Sequence, residues 1–224
     1  MKICALSDLH GYLPKQEDIP PCDVVCIAGD ISPLNIQRDK LLSAIWFGYT
    51  FIPWCESLNC MKVVFVAGNH DFFLEDYNRP GNPPIKFGKY KKVIYLNNSS
   101  YKFAHKKFYG TPHVENLPNW AFNLSSSEAK KVFANIPDCN ILISHTPPFD
   151  AANTGSVFGD SQLPDYGSYA LAEALRDKSI DLIICGHVHS GNHELSEWEN
   201  HKIVNVSYLN EDYHPVYSPK LIEI

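Results

Sequence analysis

The chain has 224 residues, 45% of them hydrophobic, and a formal net charge of -6. That is core enough for one domain and short of two typical ones, so residues 1–224 are expected to form a single domain. The acidic balance argues against a broad basic surface for a nucleic-acid backbone, while a metal site could still accept a single phosphate.

In chain order, Lys2 to Leu6 reads as a strand, and a loop from Gly11 to Pro21 carries the chain to a second strand, Val24 to Ala28. From Arg38 to about Leu58, Leu41, Leu42, Ile45 and Trp46 fall at helical spacing. An amphipathic crossover helix is expected there, broken or kinked at Pro53. Val63 to Ala67 is a third strand, central to the chain, and Asn78 to Pro84 is too rich in turn formers for regular structure, so a surface loop that lips the site is expected. Lys92 to Leu96, Tyr101 to Ala104 and Lys107 to Tyr109 read as a β-meander with a tight turn at His105 to Lys107. Ser125 and Glu128 make a capping box for a helix that Pro137 terminates, and Ile141 to Ile143 follows as a strand. Thr146 opens a loop lasting to about Tyr166, then Tyr169 to Arg176 is a helix feeding the strand Leu182 to Cys185. Ile203, Val204 and Val206, and then Leu221 to Ile224, suggest closing strands.

Seven cysteines occur without a Cys-x-x-Cys pair, and no charged-then-apolar leader opens the chain, so the cytoplasm is the expected compartment. No apolar stretch has bilayer-spanning length; the most apolar, near Trp46 to Trp54, is interrupted by Gly48, Thr50 and Pro53.

The strands share one grammar: a buried apolar run, then ligand-capable side chains. Asp8 and His10 follow the first, Asp30 the second, Asn69, His70 and Asp71 the third, His145 the fourth, and His187 and His189 the fifth. Ligands of open α/β sheets sit beyond the carboxyl ends of such strands. Carboxylate, imidazole and one amide carbonyl suit borderline divalent or trivalent metals. Seven ligands, namely Asp8, His10, Asp30, Asn69, His145, His187 and His189, are too many for one four-coordinate zinc, but they fill two sites that share a carboxylate. Such a pair lowers the pKa of a bound water towards neutrality and clamps a phosphoryl group for in-line attack, so phosphate-ester hydrolysis is the expected reaction.

Asp8-x-His10, Gly29-Asp30, Gly68-Asn69-His70-Asp71, Ser144-His145 and Gly186-His187-x-His189, in that order, resemble the calcineurin-like metallophosphoesterase superfamily. The resemblance implies an α/β (α+β) fold, a four-layer αββα sandwich of two mixed sheets flanked by helices. It implies Asp8, His10, Asp30 and His189 around one metal ion and Asp30, Asn69, His145 and His187 around the other, with Asp30 bridging. The ions would be Mn, Fe, Zn, Co or Ni. It leaves His70 uncoordinated, facing the leaving-group oxygen. Tyr109-Gly110-Thr111-Pro112, Asn119 to Asn123, His145 to Pro148 and Asn205-Val206-Ser207 are further similar to the small phosphodiesterase branch related to mammalian brain phosphodiesterases. That likeness implies small phosphodiester or cyclic-nucleotide substrates. His113 stands where that branch usually has Trp, and with Phe149 and Phe158 of the following loop it is a candidate for the substrate mouth.

Three alternatives bear on the reading. A protein Ser/Thr phosphatase would place an arginine shortly after Asp30 to grip a phosphomonoester, and Ile31 to Leu34 has none. A nuclease would need a basic or aromatic groove. A non-catalytic binding module would tend to lose His70 or a ligand, and the chain keeps them all.

Overall fold

The computed structural model describes residues 1–77, 91–151 and 166–224. Strands β1 (Lys2–Leu6), β2 (Val24–Ala28), β3 (Lys62–Val66) and β4 (Val93–Tyr95) run parallel, with Ile3 opposite Val24, Val25 opposite Val63 and Val63 opposite Val93. A second sheet contains the antiparallel hairpin β5 (Ser99–Phe103) and β6 (Lys106–Thr111). The short parallel pair β7 (Val114–Glu115) and β8 (Asn123–Leu124) stands apart. β9 (Cys139–Ser144) and β10 (Ile180–Cys185) extend the second sheet, and β11 (Ser196–Trp198) and β12 (His201–Asn205) complete it in the order β11-β12-β10-β9-β6-β5. β13 (Lys220–Glu223) returns to the first sheet, antiparallel to β1.

Each central strand is apolar on both faces because each face meets a different layer. On one side of the first sheet Leu6, Ile27 and Phe65 pack against Phe47, Phe51, Ile52 and Leu74. These come from the helical run α1 (Lys40–Trp46), a π-helical stretch Phe47–Phe51 and α2 (Ile52–Ser57), and from α3 (Phe72–Tyr77). On the other side Ile3, Ala5, Val64 and Val66 meet Ile141, Ile143, Leu182 and Ile184 of the second sheet. The far face of that sheet, with Leu142 and Ile183, is covered by Phe133 and Leu171 of α4 (Ser126–Phe133) and α5 (Tyr169–Leu175). The fold is the expected four-layer sandwich of two mixed sheets between helices. Its parallel strands point their carboxyl ends the same way within each sheet, which gathers their following loops.

Two local expectations are corrected. Leu41, Leu42 and Ile45 do not face the core; they are 70%, 46% and 47% exposed. The π-helical stretch rotates the helix so that Phe47, Phe51, Ile52 and Cys55 supply the buried side. Pro53 then falls in the first turn of α2, where its missing N–H matters least, so it does not stop the helical run. The second correction concerns the meander: β4 pairs with β3 in the first sheet, and only β5 and β6 form a hairpin, in the other. Its turn uses Ala104 and His105, both at positive φ (46° and 64°), one residue earlier than expected. The expected loop Asn78 to Pro84 lies outside the described residues.

Candidate metal centre

The turns after β1, β2 and β10 hold their ligand-type residues in an uncommon backbone state. Asp8, His10, Asp30 and His187 have φ of 53°, 42°, 52° and 72°. For a residue with a Cβ that region costs about 1 to 2 kcal/mol, and the surrounding hydrogen bonds must enforce it. They do: the Asp8 N–H donates to Gly29 O and the His10 N–H to Asp30 O, each at 3.0 Å, lacing the first two turns together. Gly29 makes this approach possible, since at φ 98° a Cβ there would lie 2.5 Å from Nδ1 of His145.

The result is a buried convergence of donor atoms. Oδ1 of Asp30 lies 3.3 Å from Nε2 of His145, and Oδ2 lies 3.9 Å from Nε2 of His10. Oδ1 of Asp8 is 3.5 Å from Nε2 of His189, and Oδ1 of Asn69 is 2.9 Å from Nε2 of His145. Ligands bound at about 2.1 Å around one ion stand roughly 3 to 3.5 Å apart; the spacings at His145 and His189 match donors that share a cation, and the one between His10 and Asp30 is wider. Among the described residues, Asp8, His10 and His189 form one compact trio, Asp8, Asp30 and His145 another, and His10, Asp30 and His70 a third. His187 adjoins them with its ring centroid 5.1 Å from that of His145, and its N–H donates to the Asp8 carboxylate at 3.0 Å.

Two electrostatic features test the fit to metal. Both ring nitrogens of His10 are buried without a hydrogen-bond partner among the described residues, and burial pushes this imidazole down to about 4, so it stays neutral with a free lone pair. His145 is the converse case. Its Nδ1–H donates to Ala28 O at 2.8 Å, and its Nε2 faces both Asn69 and Asp30. Burial opposes its charge, but the Asp30 carboxylate outweighs that and raises it to about 9. A proton therefore sits on Nε2 where a cation would replace it. His189 repeats the pattern, with Nδ1 against Asn210 O at 2.9 Å and Nε2 towards Asp8. Backbone carbonyls thus leave Nε2 of both rings for the site, as metal-ligating histidines require. The buried Asp8 and Asp30 carboxylates, despite desolvation, are held below their ordinary range chiefly by His189 and His145 respectively.

His70 stands at the edge of this group, its Nε2 3.7 Å from Oδ2 of Asp30 and its own N–H bonded to Oδ1 at 2.8 Å. Its Nδ1 is bonded to Oε1 of Gln37, and the Trp120 ring packs on it at 4.3 Å. The Arg38 guanidinium in turn covers Trp120 and Phe72. Asp71, from the same polar run, is instead a clamp. Its carboxylate accepts from the N–H groups of Ile31, Ser32 and Gly68 and from the Ser32 hydroxyl, tying the Asp30 turn to the Asn69 turn.

Two supporting residues have no role in the sequence reading: Ser207, within the Asn205-Val206-Ser207 block, and Tyr213, outside every block. Ser207 donates to Oδ2 of Asp8 at 2.7 Å, and Tyr213, at φ 60°, sets its ring edge-on to His10 and His189. Of the residues expected at the substrate mouth, His113 spends its ring nitrogens on Asn98 and the Phe122 carbonyl. Phe149 stacks on Tyr169 at 3.6 Å, beside α5. Neither is among the grouped ligand residues, and Phe158 lies outside the described residues.

Residues 1–191 match the calcineurin-like phosphoesterase family, and the chain belongs to it. It is 24% identical to UPF0046 protein T07D4.2 of Caenorhabditis elegans, covering all of this chain but 60% of that protein's length. One solved crystal structure overlays with a TM-score of 0.66 at 14% identity, over 91% of this chain and 89% of the other. The phosphopantetheinyl hydrolase of Mycobacterium tuberculosis overlays with a TM-score of 0.50 at 16% identity, over 92% and 88%. At such identities the overlays speak for the fold alone. The family implies metal-dependent phosphoester hydrolysis, and the His/Asp groups are candidates to hold the ions. No helix among the described residues is long and apolar enough to cross a membrane.

Proposed function

We propose that this chain hydrolyses small phosphodiesters, cyclic nucleotides among them, as one cytoplasmic domain carrying two transition-metal ions. Asp8, His10, Asp30 and His189 would hold one ion and Asp30, Asn69, His145 and His187 the other. The observation that carries the reading is the set of five buried acid and imidazole groups from four strand ends, with neighbouring donor atoms 3.3 to 3.9 Å apart. The ring nitrogens of one of them, His10, have no hydrogen-bond partner among the described residues.

When bound, the ions would supply Lewis acidity towards the phosphoryl oxygens and an activated water for in-line attack. The chain's own residues do the rest. Asp30, with one oxygen towards His10 and the other towards His145, would hold the two positions at a fixed spacing. Asn69 and His70 border the space beside it, where the phosphate would lie. As the bond from phosphorus to the departing alcohol breaks, His70 gives the proton on Nε2 to that oxygen. Support for a diester over a monoester comes from Gly29 to Leu34, which carries no arginine to grip a terminal phosphate. Substrate contacts from His113, Phe149 and Phe158 are part of the same proposal.

The test is to titrate Mn²⁺, Co²⁺, Ni²⁺ or Fe²⁺ into metal-free protein while following bis-p-nitrophenyl phosphate, then phosphomonoesters, cyclic nucleotides and oligonucleotides. Activity should vanish on chelation and return with metal, diesters leading. Undiminished hydrolysis after prolonged EDTA, with no metal found by elemental analysis, would end the two-metal reading.

A further inference from the structure

Beside His10 lies an open cleft of about 370 Å³, bordered by residues 10–12 on one side and by Pro33, Asn35, Ile36 and Trp46 on the other. The walls are hydrogen-bonded turns. The Gly11 N–H donates to Ile31 O, the Tyr12 N–H to Leu9 O and the Ile36 N–H to Pro33 O, at 2.7 to 3.1 Å. The buried Ser43 hydroxyl donates to Ile36 O at 2.9 Å, anchoring that turn to α1. Where the two walls meet, Gly11 at φ 90° leaves no space for a side chain, since a Cβ would lie 2.9 Å from the Pro33 ring. The Trp46 ring is steadied by Phe51, nearly parallel to it at 18° and 6.1 Å. A cleft held this way loses little freedom when it is filled.

Its chemistry narrows the occupant. Among the described residues that line it, none but His10 is an acid or base that ionises near neutral pH, so they are unsuited to a phosphate or a cation. It offers flat faces from Tyr12, Trp46 and Pro33, and one amide, Asn35, that both donates and accepts. Tyr12 is 48% exposed, a large ring left in water at the rim. An uncharged planar group with a hydrogen-bonding edge fits these surfaces, and the volume, near the low end for small-molecule pockets, suits one base rather than a strand. Position adds to this. The cleft touches His10 of the candidate centre, and Ile36 directly precedes Gln37, which holds His70.

We propose that this cleft is a nucleobase subsite, so that the preferred substrates are nucleotide phosphodiesters with the base seated between Tyr12 and Trp46. This rests on the phosphodiesterase reading for its catalytic consequence, but not for binding itself. The experiment therefore has two arms. In the first, adenosine and uridine are titrated into the metal-free protein and followed by saturation-transfer NMR, with glycerol as control. Nucleosides should bind, glycerol should not, and Tyr12→Ala should weaken binding about ten-fold, the scale of one lost stacking face. In the second, the metal-loaded protein is given a nucleoside 2′,3′-cyclic phosphate and the base-free ribose 2′,3′-cyclic phosphate. The ratio of their kcat/KM values should fall about ten-fold in Tyr12→Ala and less in Asn35→Ala. Tyr12 is a rim residue, and circular dichroism checks that the variant folds; Trp46→Phe gives an independent second probe. Nucleoside binding that Tyr12→Ala and Trp46→Phe leave unchanged would overturn the subsite. So would preference for a long-chain glycerophosphodiester over the nucleotide, which would make the cleft an alkyl site. A wild-type protein that binds nucleosides but cleaves nothing with any metal would overturn the phosphodiesterase reading and leave the subsite standing.

Discussion

His70 and Gln37 are joined through Nδ1 of the imidazole and Oε1 of the amide, an arrangement that turns Nε2 of His70 towards Oδ2 of Asp30 at 3.7 Å. The amide oxygen accepts Nδ1–H whether or not Nε2 also carries a proton. Gln37 therefore fixes the ring through a complete cycle of proton donation without adding a charge. Trp120 limits the ring from its face.

Gln37→Ala is expected to release the ring and lower kcat by about ten-fold on substrates with poor leaving groups, with KM and bound metal little changed. If Gln37 acts only through His70, the same change made in a His70→Ala background should cost nothing further. Equal losses in both backgrounds, measured by a double-mutant cycle, would show that Gln37 works elsewhere.

His70→Ala should discriminate among leaving groups. An alkoxide such as a ribose oxygen needs a proton as it departs, whereas p-nitrophenolate leaves unaided. The variant should bind metals normally, lose ~10² to 10⁴ in kcat on cyclic nucleotides, and lose distinctly less on the aryl ester. Similar losses on both would make His70 a phosphate-positioning residue instead.

The strand ends were legible because apolar runs ending in Asp, His or Asn are local patterns, and parallel strands carry their ends to one place; the two-sheet sandwich was implied only by the resemblance that the five ordered blocks carry. What escaped the sequence is what depends on tertiary register. Ser207 reaches Asp8 across 199 positions and Gln37 reaches His70 across 33; the Asn205-Val206-Ser207 block marks Ser207 but not its partner, and nothing around Gln37 announces its pairing. The face of α1 escaped for a different reason. Leu41, Leu42 and Ile45 satisfy helical spacing, but the π-helical stretch after Trp46 resets the phase, and the larger apolar surface of Phe47, Phe51 and Ile52 takes the core.

Asp30→Ala removes the carboxylate nearest to His10, His70 and His145 together. Both ions should be lost, or bound at least about a hundred-fold more weakly, whereas Asn69→Ala should impair one position only. Two ions per chain at wild-type affinity in Asp30→Ala, by elemental analysis, would remove Asp30 from its bridging role.

The last prediction concerns protons in the metal-free protein. Burial holds His10 and His187 down to about 4, so between pH 4 and their ordinary value of 6.5 the unfolded chain binds more protons than the folded one. Their contribution is complete above that window and falls as pH drops through it. His145 and His189 have the opposite sign. Burial resists their charge, but Asp30 and Asp8 raise them to about 9, so they stabilise fully below pH 6.5 and lose that effect as pH rises through 9. Metal-free protein in EDTA should therefore have its highest Tm near pH 6.5 and melt earlier at both pH 5 and pH 9. The same protons must leave when a cation takes Nε2 of His145 and His189, because a ligating imidazole gives its lone pair. Metal titration at pH 7 by calorimetry, in buffers of different ionisation enthalpy, should show release of more than one proton per chain. Binding of two ions with no proton release would mean that these two rings are not ligands.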